Sequence, residues 1–183
     1  MHNPLTLKAS LIVAALMAWP LAQAATLSKA DYKAGKTRIS AELKADKAAC
    51  ASFSGNAKDI CIQQALAREK VARAELEYSY SAKPADQTKV LVAMADSSYA
   101  VASEKCDDKA GNSKDVCVQE AKAVQTKALA DAKMGRQIGA ARTDAADEKR
   151  NADYKVAAEK CDAMTGDAKA SCVTAAKAKY GKS

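Results

Sequence analysis

Apolar side chains recur at helical spacing ahead of three cysteines in the chain. Spacings of three, four and seven residues place side chains on one face of an α-helix. Leu43, Tyr99 and Tyr154 each precede a cysteine by seven residues, and we expect the tyrosines to be core residues with the hydroxyl at the edge. The three predicted stripes are Tyr32, Ile39, Leu43, Cys50 and Phe53; Val92, Ala95, Tyr99, Ala102 and Cys106; and Tyr154, Ala157, Cys161 and Met164.

Each predicted helix leads into a pair of cysteines with ten residues between its members. The first cysteines of successive pairs are evenly spaced along the chain to within one residue, so the chain is a threefold repeat. The pairs are Cys50 and Cys61, Cys106 and Cys117, and Cys161 and Cys172.

The ten-residue linkers share a central glycine that is followed by Asn or Asp. Glycine just past a helix end accepts the left-handed conformation that closes a helix, and Asn or Asp is a favoured N-cap for the next helix. Each linker therefore predicts helix, tight turn, helix. The turn residues are Gly55 and Asn56, Gly111 and Asn112, and Gly166 and Asp167.

The spacing from the turn places the two cysteines of each pair opposite each other in an antiparallel hairpin. A disulfide needs α-carbons about 5.5 Å apart, which is closer than the usual 8–10 Å between helix axes. Small neighbours permit that approach, and Ala65, Ala121 and Ala176 each follow the second cysteine by four residues. The sequence therefore predicts three disulfide-stapled hairpins.

Two helix-disfavouring residues mark the boundaries between copies. Pro84 and Gly139 stand at the same distance before the first cysteine of their copy. The alternative at the second boundary is one long helix that is only kinked at Gly135 and Gly139. The predicted fold is all-α, with the hairpins in tandem as a bundle or elongated stack. The copies span 25–83, 84–138 and 139–183, the last one shortened.

The segment 1–24 is typical of a secretory signal peptide. Lys8 supplies the positive charge, an uncharged apolar run follows, and Ala22-Gln23-Ala24 is a cleavage pattern, with the cut predicted after Ala24. An even number of cysteines in an exported chain indicates a disulfide framework. We therefore expect a periplasmic protein without a membrane span in its mature part.

Composition indicates a thin-cored helical protein. After Ala24, Leu, Ile, Val and Phe together make up about one residue in eight, a fraction low enough to make disorder a serious alternative. The abundant alanine, lysine and glutamate are strong helix formers, and the cysteine pairs supply stability that a thin core lacks.

The chemistry available after Ala24 is narrow, and we expect no enzyme, no metal site and no cofactor. The single histidine is His2, so histidine-dependent triads are excluded, and no Cys-x-x-Cys motif is present. One alternative is binding of a metal or small ligand by reduced cysteines. Another is binding of a polyanion by lysine-rich helix faces.

The runs GNAKDIC and GNSKDVC, set among Ala/Lys-rich helices, resemble a group of exported proteins of Gram-negative bacteria. Some of these are labelled TolA-like cell-envelope proteins. The resemblance implies an envelope location and helical character, and it supplies no catalytic residue. We therefore expect a non-enzymatic structural or interaction protein of the cell envelope, whose partner is an envelope protein or a polyanion.

Reduction of the disulfides is expected to lower the melting temperature by tens of degrees. Each bridge closes a loop of about 12 residues, which the chain-entropy model values at roughly 3 kcal/mol. Whole domains are stable by only about 5–15 kcal/mol. Circular dichroism melts with and without reductant measure the difference, and superimposable curves would contradict the expectation.

Overall fold

A computed structural model describes residues 27–182, which form five α-helices. The predicted signal peptide lies outside this range. Within it the chain is helical nearly throughout and contains no β-strand, and a 3-10 turn, Cys50–Ser52, follows the first helix. The helices are α1 Lys29–Ala49, α2 Gly55–Ser81, α3 Pro84–Cys106, α4 Gly111–Asp162 and α5 Gly166–Tyr180.

Each helix packs only against its neighbours along the chain. Between residues 27 and 182 the packed pairs are α1 with α2, α2 with α3, α3 with α4, and α4 with α5. The contacts show that α1 and α2 are antiparallel. Tyr32, near the start of α1, stacks on Tyr80, near the end of α2, whereas Asp46, near the end of α1, bonds to Arg68 at the middle of α2. The protein is therefore an open bundle, with antiparallel helices following one another in a row.

The core consists mainly of cystine and alanine. The most deeply buried side chains are the first cysteines of the three pairs, and one larger aliphatic residue, Ile39, lies among the buried residues of the described chain. All three alanines that the sequence places behind the second cysteine are buried. The buried alanines are Ala65, Ala93, Ala95, Ala121, Ala132 and Ala176.

The three predicted disulfides are confirmed. Cys50 bonds to Cys61, Cys106 to Cys117 and Cys161 to Cys172, with α-carbon separations of 5.6, 5.7 and 5.6 Å. These separations match those of ordinary protein disulfides. Each bridge joins the end of one helix to the first turns of the next, beside the interhelical turn.

The turn glycines start the second helix of each hairpin instead of closing the first. Gly55, Gly111 and Gly166 have φ of 54°, 55° and 57°, a region that suits glycine. Each is the first residue of its helix, and the residue before it is extended.

The predicted N-cap role of the residue after each glycine is therefore wrong. Asn56, Asn112 and Asp167 lie inside the first turn of their helices, because the preceding glycine already belongs to the helix. Asn56 has a different role: its amide donates to the Glu104 carbonyl (3.3 Å) and to Asp108 Oδ1 (2.7 Å). It thereby joins the start of α2 to the end of α3.

A tight turn at residues 82–83 reverses the chain between α2 and α3. Ala82 closes α2 in the left-handed conformation, and Pro84 is the first residue of α3, where its missing N–H costs nothing. Ser81 Oγ donates to Asp86 Oδ2 (2.6 Å), and Lys89 Nζ lies 2.8 Å from Asp86 Oδ1. The bond from Ser81 ties the end of α2 to the first turn of α3, and the Lys89–Asp86 pair lies within α3.

Of the two alternatives predicted for the second boundary, the structure has the long helix and not the break: α4 continues through Gly135 and Gly139 as one helix of 52 residues. No proline interrupts the chain there, and a glycine lowers helix stability by only about 1 kcal/mol. The predicted limit between the second and third copies, at 138–139, thus falls inside α4.

The first and third predicted stripes fail at their last members, whereas the second ends at the buried Cys106. Phe53 and Met164 are exposed, since α1 and α4 have ended before them and helical periodicity no longer applies.

Two glycine substitutions are expected to have opposite effects on stability. A Cβ added at Gly35 would lie 2.7 Å from Leu76 Cδ1, whereas one at Gly139 would meet no atom within 4 Å. We expect Gly35→Ala to lower the free energy of unfolding by about 1 kcal/mol, because displacing the Leu76 side chain costs about 1–3 kcal/mol and outweighs the gain of about 1 kcal/mol in helix propensity. Gly139→Ala should instead stabilise α4 locally by about 1 kcal/mol.

Urea denaturation measures the Gly35→Ala effect, and amide hydrogen exchange around residue 139 measures the other. Faster exchange in Gly139→Ala, or a more stable Gly35→Ala protein, would contradict this packing.

Candidate functional site: an isolated helical segment and a separate third hairpin

The middle of α4 has no helix packed along it; only its first residues, Ala140, Thr143 and Asp144, line a depression beside the start of α3. This middle part lies between the part that packs on α3 and the part that packs on α5, and every residue from 140 to 152 is exposed. We call residues 140–152 the bare segment. At 1.5 Å per residue it is about 20 Å long. It separates two parts of the protein. One is the third hairpin, formed by the end of α4 and α5; the other, which we call the array, consists of α1, α2, α3 and the first half of α4.

Charged residues explain why the bare segment remains unpaired. Counted back from the first cysteine of each copy, residues 147–150 (DEKR) occupy the positions that residues 92–95 (VAMA) occupy in α3. Ala93 and Ala95 are buried in the array, and their counterparts are Glu148 and Arg150. Burying those charges without partners would cost several kcal/mol, so this stretch does not pack on another helix of its own chain as α3 packs on α2.

The third hairpin holds itself together without help from the array. Its disulfide, Cys161–Cys172, lies beside the turn, and Asp162 and Lys169 form an ion pair across the turn at 2.9 Å. Farther along, Tyr154 meets the last helical residue, Tyr180, edge to face, with ring centroids 6.4 Å apart. The disulfide at one end and the aromatic contact at the other thus hold the two helices of this hairpin together in place of a conventional core.

The third hairpin keeps the sequence of a packed hairpin where it approaches its turn. Residues 154–162 read YKVAAEKCD and residues 99–107 read YAVASEKCD, so seven of nine positions are identical. In α3 the valine of this run, Val101, lines a groove against α2. Its counterpart, Val156, is exposed. The valine that is half-buried beside α2 in the second copy is therefore exposed in the third.

A groove runs between α2 and α3. It has a volume of about 840 Å³ and is open to solvent along its length. Its lining is mostly apolar and also contains the buried Ser97 and the charged residues Arg68, Glu75 and Lys105. Arg68 is already bonded to Asp46 on α1 (2.9 Å). The apolar lining residues are Ala67, Val71, Ala72, Met94, Val101 and Ala102.

Asp96 joins three helices at the centre of the array. Its Oδ2 lies 2.9 Å from Lys70 Nζ of α2, and its Oδ1 accepts from Gln125 Nε2 of α4, also at 2.9 Å. The bond from Lys70, supported by that from Gln125, lowers the pKa of the Asp96 carboxyl from its usual value of 3.8. Asp96 thus links α2 to α4, two helices that do not pack on each other.

The six cysteines offer no thiolate for chemistry, because each is bonded to its partner. Residues 27–182 contain no group of three or more His, Cys, Asp and Glu side chains arranged to hold a metal ion. Lysines and arginines occur beside acidic side chains, with ion pairs such as Lys114–Asp107 and Arg150–Asp147. No described helix combines the length and apolar character that crossing a membrane requires.

The repeat pattern did not predict the bare segment, which is apparent only from the continuous helix α4. The sequence does carry a signal: the positions of VAMA in the second copy are DEKR in the third, and the position of Pro84 is a glycine. Both differences remove what makes α3 turn back onto α2.

No protein-family model, curated protein or solved structure matches this chain. The site is therefore interpreted from its own geometry.

Acid is expected to weaken the array through Asp86 and Asp96. The pKa of each carboxyl is lowered, chiefly by a bond from Lys89 to Asp86 and from Lys70 to Asp96. Their contribution to stability is complete above the unfolded-state pKa, near 4, and is lost as the pH falls through the lower folded-state value. The urea midpoint should therefore be steady near neutrality and fall below about pH 4.

Asp96→Asn should lower stability near neutral pH by about 1 kcal/mol or less and make the acid-induced fall shallower. Asp144→Asn, on the bare segment, is the matched control and should change neither. An Asp96→Asn protein with an unaltered pH profile would remove the assigned role of Asp96.

Proposed function

We propose that this chain is a periplasmic, non-enzymatic structural or interaction protein of the cell envelope, and that it acts as a spacer. The array of α1, α2, α3 and the first half of α4 forms one module, and the third hairpin forms the other. The bare segment holds the two modules apart. The observation that carries this proposal is the unbroken α4 with an unpartnered middle.

The composition of the bare segment supports a spacing role. Its alanines favour helix, and its charged side chains keep the helix in solvent, with Arg150 bonded to Asp147 three residues earlier (3.0 Å). A catalytic cleft requires convergent walls, whereas this stretch is exposed on every side. It is suited to setting a distance between modules.

Three observations support export. The segment 1–24 has the pattern of a signal peptide, and the three disulfides are typical of an oxidising compartment. The resemblance of GNAKDIC and GNSKDVC to exported Gram-negative proteins points to the same location. Periplasmic export of the mature chain, with cleavage after Ala24, is part of the proposal.

The two alternatives receive less support from the side chains. Binding through reduced cysteines would first require breaking disulfides whose first members are buried. Polyanion binding would use lysines that are interleaved with acids, several of them already in ion pairs. Neither arrangement converges on a ligand.

A change in the length of the bare segment is expected to alter the partners that the two modules reach together. Deleting 141–147 removes about two helical turns, which brings the third hairpin roughly 10 Å closer and rotates it by only about 20°. A photo-crosslinking residue at Phe53 in one strain, and at Met164 in another, samples an exposed position near the turn of each module. At native expression, we expect the deletion to change the crosslinked proteins at one module or both.

The matched control keeps length and charge but changes the side chains: Asp144→Glu, Asp147→Glu and Arg150→Lys. It should crosslink as the unaltered protein does. The spacer role would be rejected if the deletion left the set of crosslinked proteins unchanged while the conservative control altered it.

A further inference from the structure

An apolar stripe runs along the unpartnered side of α4. Val116 and Met134 lie five full helical turns apart, as do Ile138 and Val156. Met134 and Ile138 are one turn apart, so all four side chains share one side of the helix. They are 47%, 53%, 44% and 57% exposed in that order. We call these four residues the α4 stripe.

The α4 stripe is free along its length. Ala121 and Ala132, which are buried against α3, lie about a third of a turn around the helix from it. Cys161, which bonds to α5, lies more than a third of a turn around the helix from Val156. Neither neighbouring helix therefore obstructs an approach to the stripe.

The α4 stripe is symmetric about Arg136 along the sequence. Val116 and Val156 are equidistant from Arg136 along the chain, and so are Met134 and Ile138. A second copy of α4 running in the opposite direction would therefore place Val116 against Val156 and Met134 against Ile138. Such self-complementarity is what a two-fold symmetric interface requires. Val124, also exposed, lies at the edge of the stripe and outside this mirror pattern, because the residue that would face it is Glu148; at the edge of the interface that carboxylate would stay in contact with solvent.

The polar positions along the same side are compatible with that pairing. The charged residues Glu120, Lys127 and Lys149 would each face an alanine: Ala152, Ala145 and Ala123 respectively. Asp131 lies five residues before Arg136 and Arg142 lies six after it, so opposite charges meet on either side of the centre. The pairing thus brings no like charges directly together, and the alanines allow the helices to approach closely.

A contact inside the chain has the same register. Asn56 on α2 donates to the Glu104 carbonyl on α3. The equivalent residues in the next copies are Asn112 and Glu159, which are equidistant from Arg136 to within one residue. The antiparallel pairing would bring Asn112 of one copy beside Glu159 of another, so a pair used within one molecule would recur between two.

We propose that two copies of this chain form an antiparallel homodimer through the α4 stripe, with the two-fold axis level with Arg136. From Val116 to Val156 the helices would touch along about 60 Å. Each bare segment would then have a partner, and the third hairpins would lie at opposite ends of a two-helix rod. This inference goes beyond the spacer role, which holds for a monomer or a dimer.

The oligomeric state of the mature chain, measured by sedimentation equilibrium at micromolar concentrations, provides the first test. We expect a dimer. Ile138→Lys places two unpaired charges at the centre of the interface and should raise the dissociation constant by at least about tenfold. Ala140→Lys adds the same charge on the other side of the helix, at a residue that is also exposed, and should leave the dimer intact.

Circular dichroism separates dissociation from unfolding, and both lysine variants should remain as helical as the unaltered protein. A monomeric mature chain would overturn the dimer. So would a dimer that Ile138→Lys and Ala140→Lys weaken equally.

A photo-crosslinking residue at Val116 tests the register directly. The antiparallel dimer predicts crosslinks to the peptide that contains Val156, which lies about 60 Å away in the same chain and is reachable only in a second copy. Crosslinks between the two copies of residue 116 would show a parallel pairing and overturn the proposal. A monomer would leave the spacer proposal standing, since that role is tested by the length of the bare segment.

Discussion

The disulfide beside each hairpin turn is the constraint on which the rest of this protein depends. Fixing two α-carbons less than about 6 Å apart brings the helices closer than large side chains would allow, so the neighbouring positions are filled by alanine. Alanine packing contributes little hydrophobic free energy per residue. The covalent bond therefore both imposes the close packing and supplies much of the stability that such packing lacks.

Charge placement determines where the row of packed helices stops. The array grows as long as each new helix offers a small or apolar side to the previous one, as α3 does with Ala93 and Ala95. At 147–150 the same positions carry charges, and the chain continues outward as a solvated helix. A short change in sequence thus converts a packing element into a connecting element without altering its helical conformation.

The sequence predicted what local chemistry and covalent geometry determine. The cysteine spacing predicted the hairpins and their bonds, and the alanines behind the second cysteines were identified as contact residues. The path of α4 was not predictable from the glycines alone, because Gly139 weakens a helix without ending one, and only the loss of the packing partner decides between turning and continuing. The role of Asn56 was misassigned for a related reason: its amide has partners on α3 that no local pattern reveals.

The continuous α4 has a consequence for how this protein can change by insertion or deletion. A flexible linker tolerates a lost residue, whereas in a helix each residue carries a fixed rotation of about 100° and a rise of about 1.5 Å. Losing one residue from the bare segment would swing the third hairpin more than a quarter of the way around the axis while barely moving it along. The residue count of the bare segment thus sets the orientation of that hairpin, and tolerated length changes should be those close to a whole number of turns, such as about 7, 11 or 18 residues.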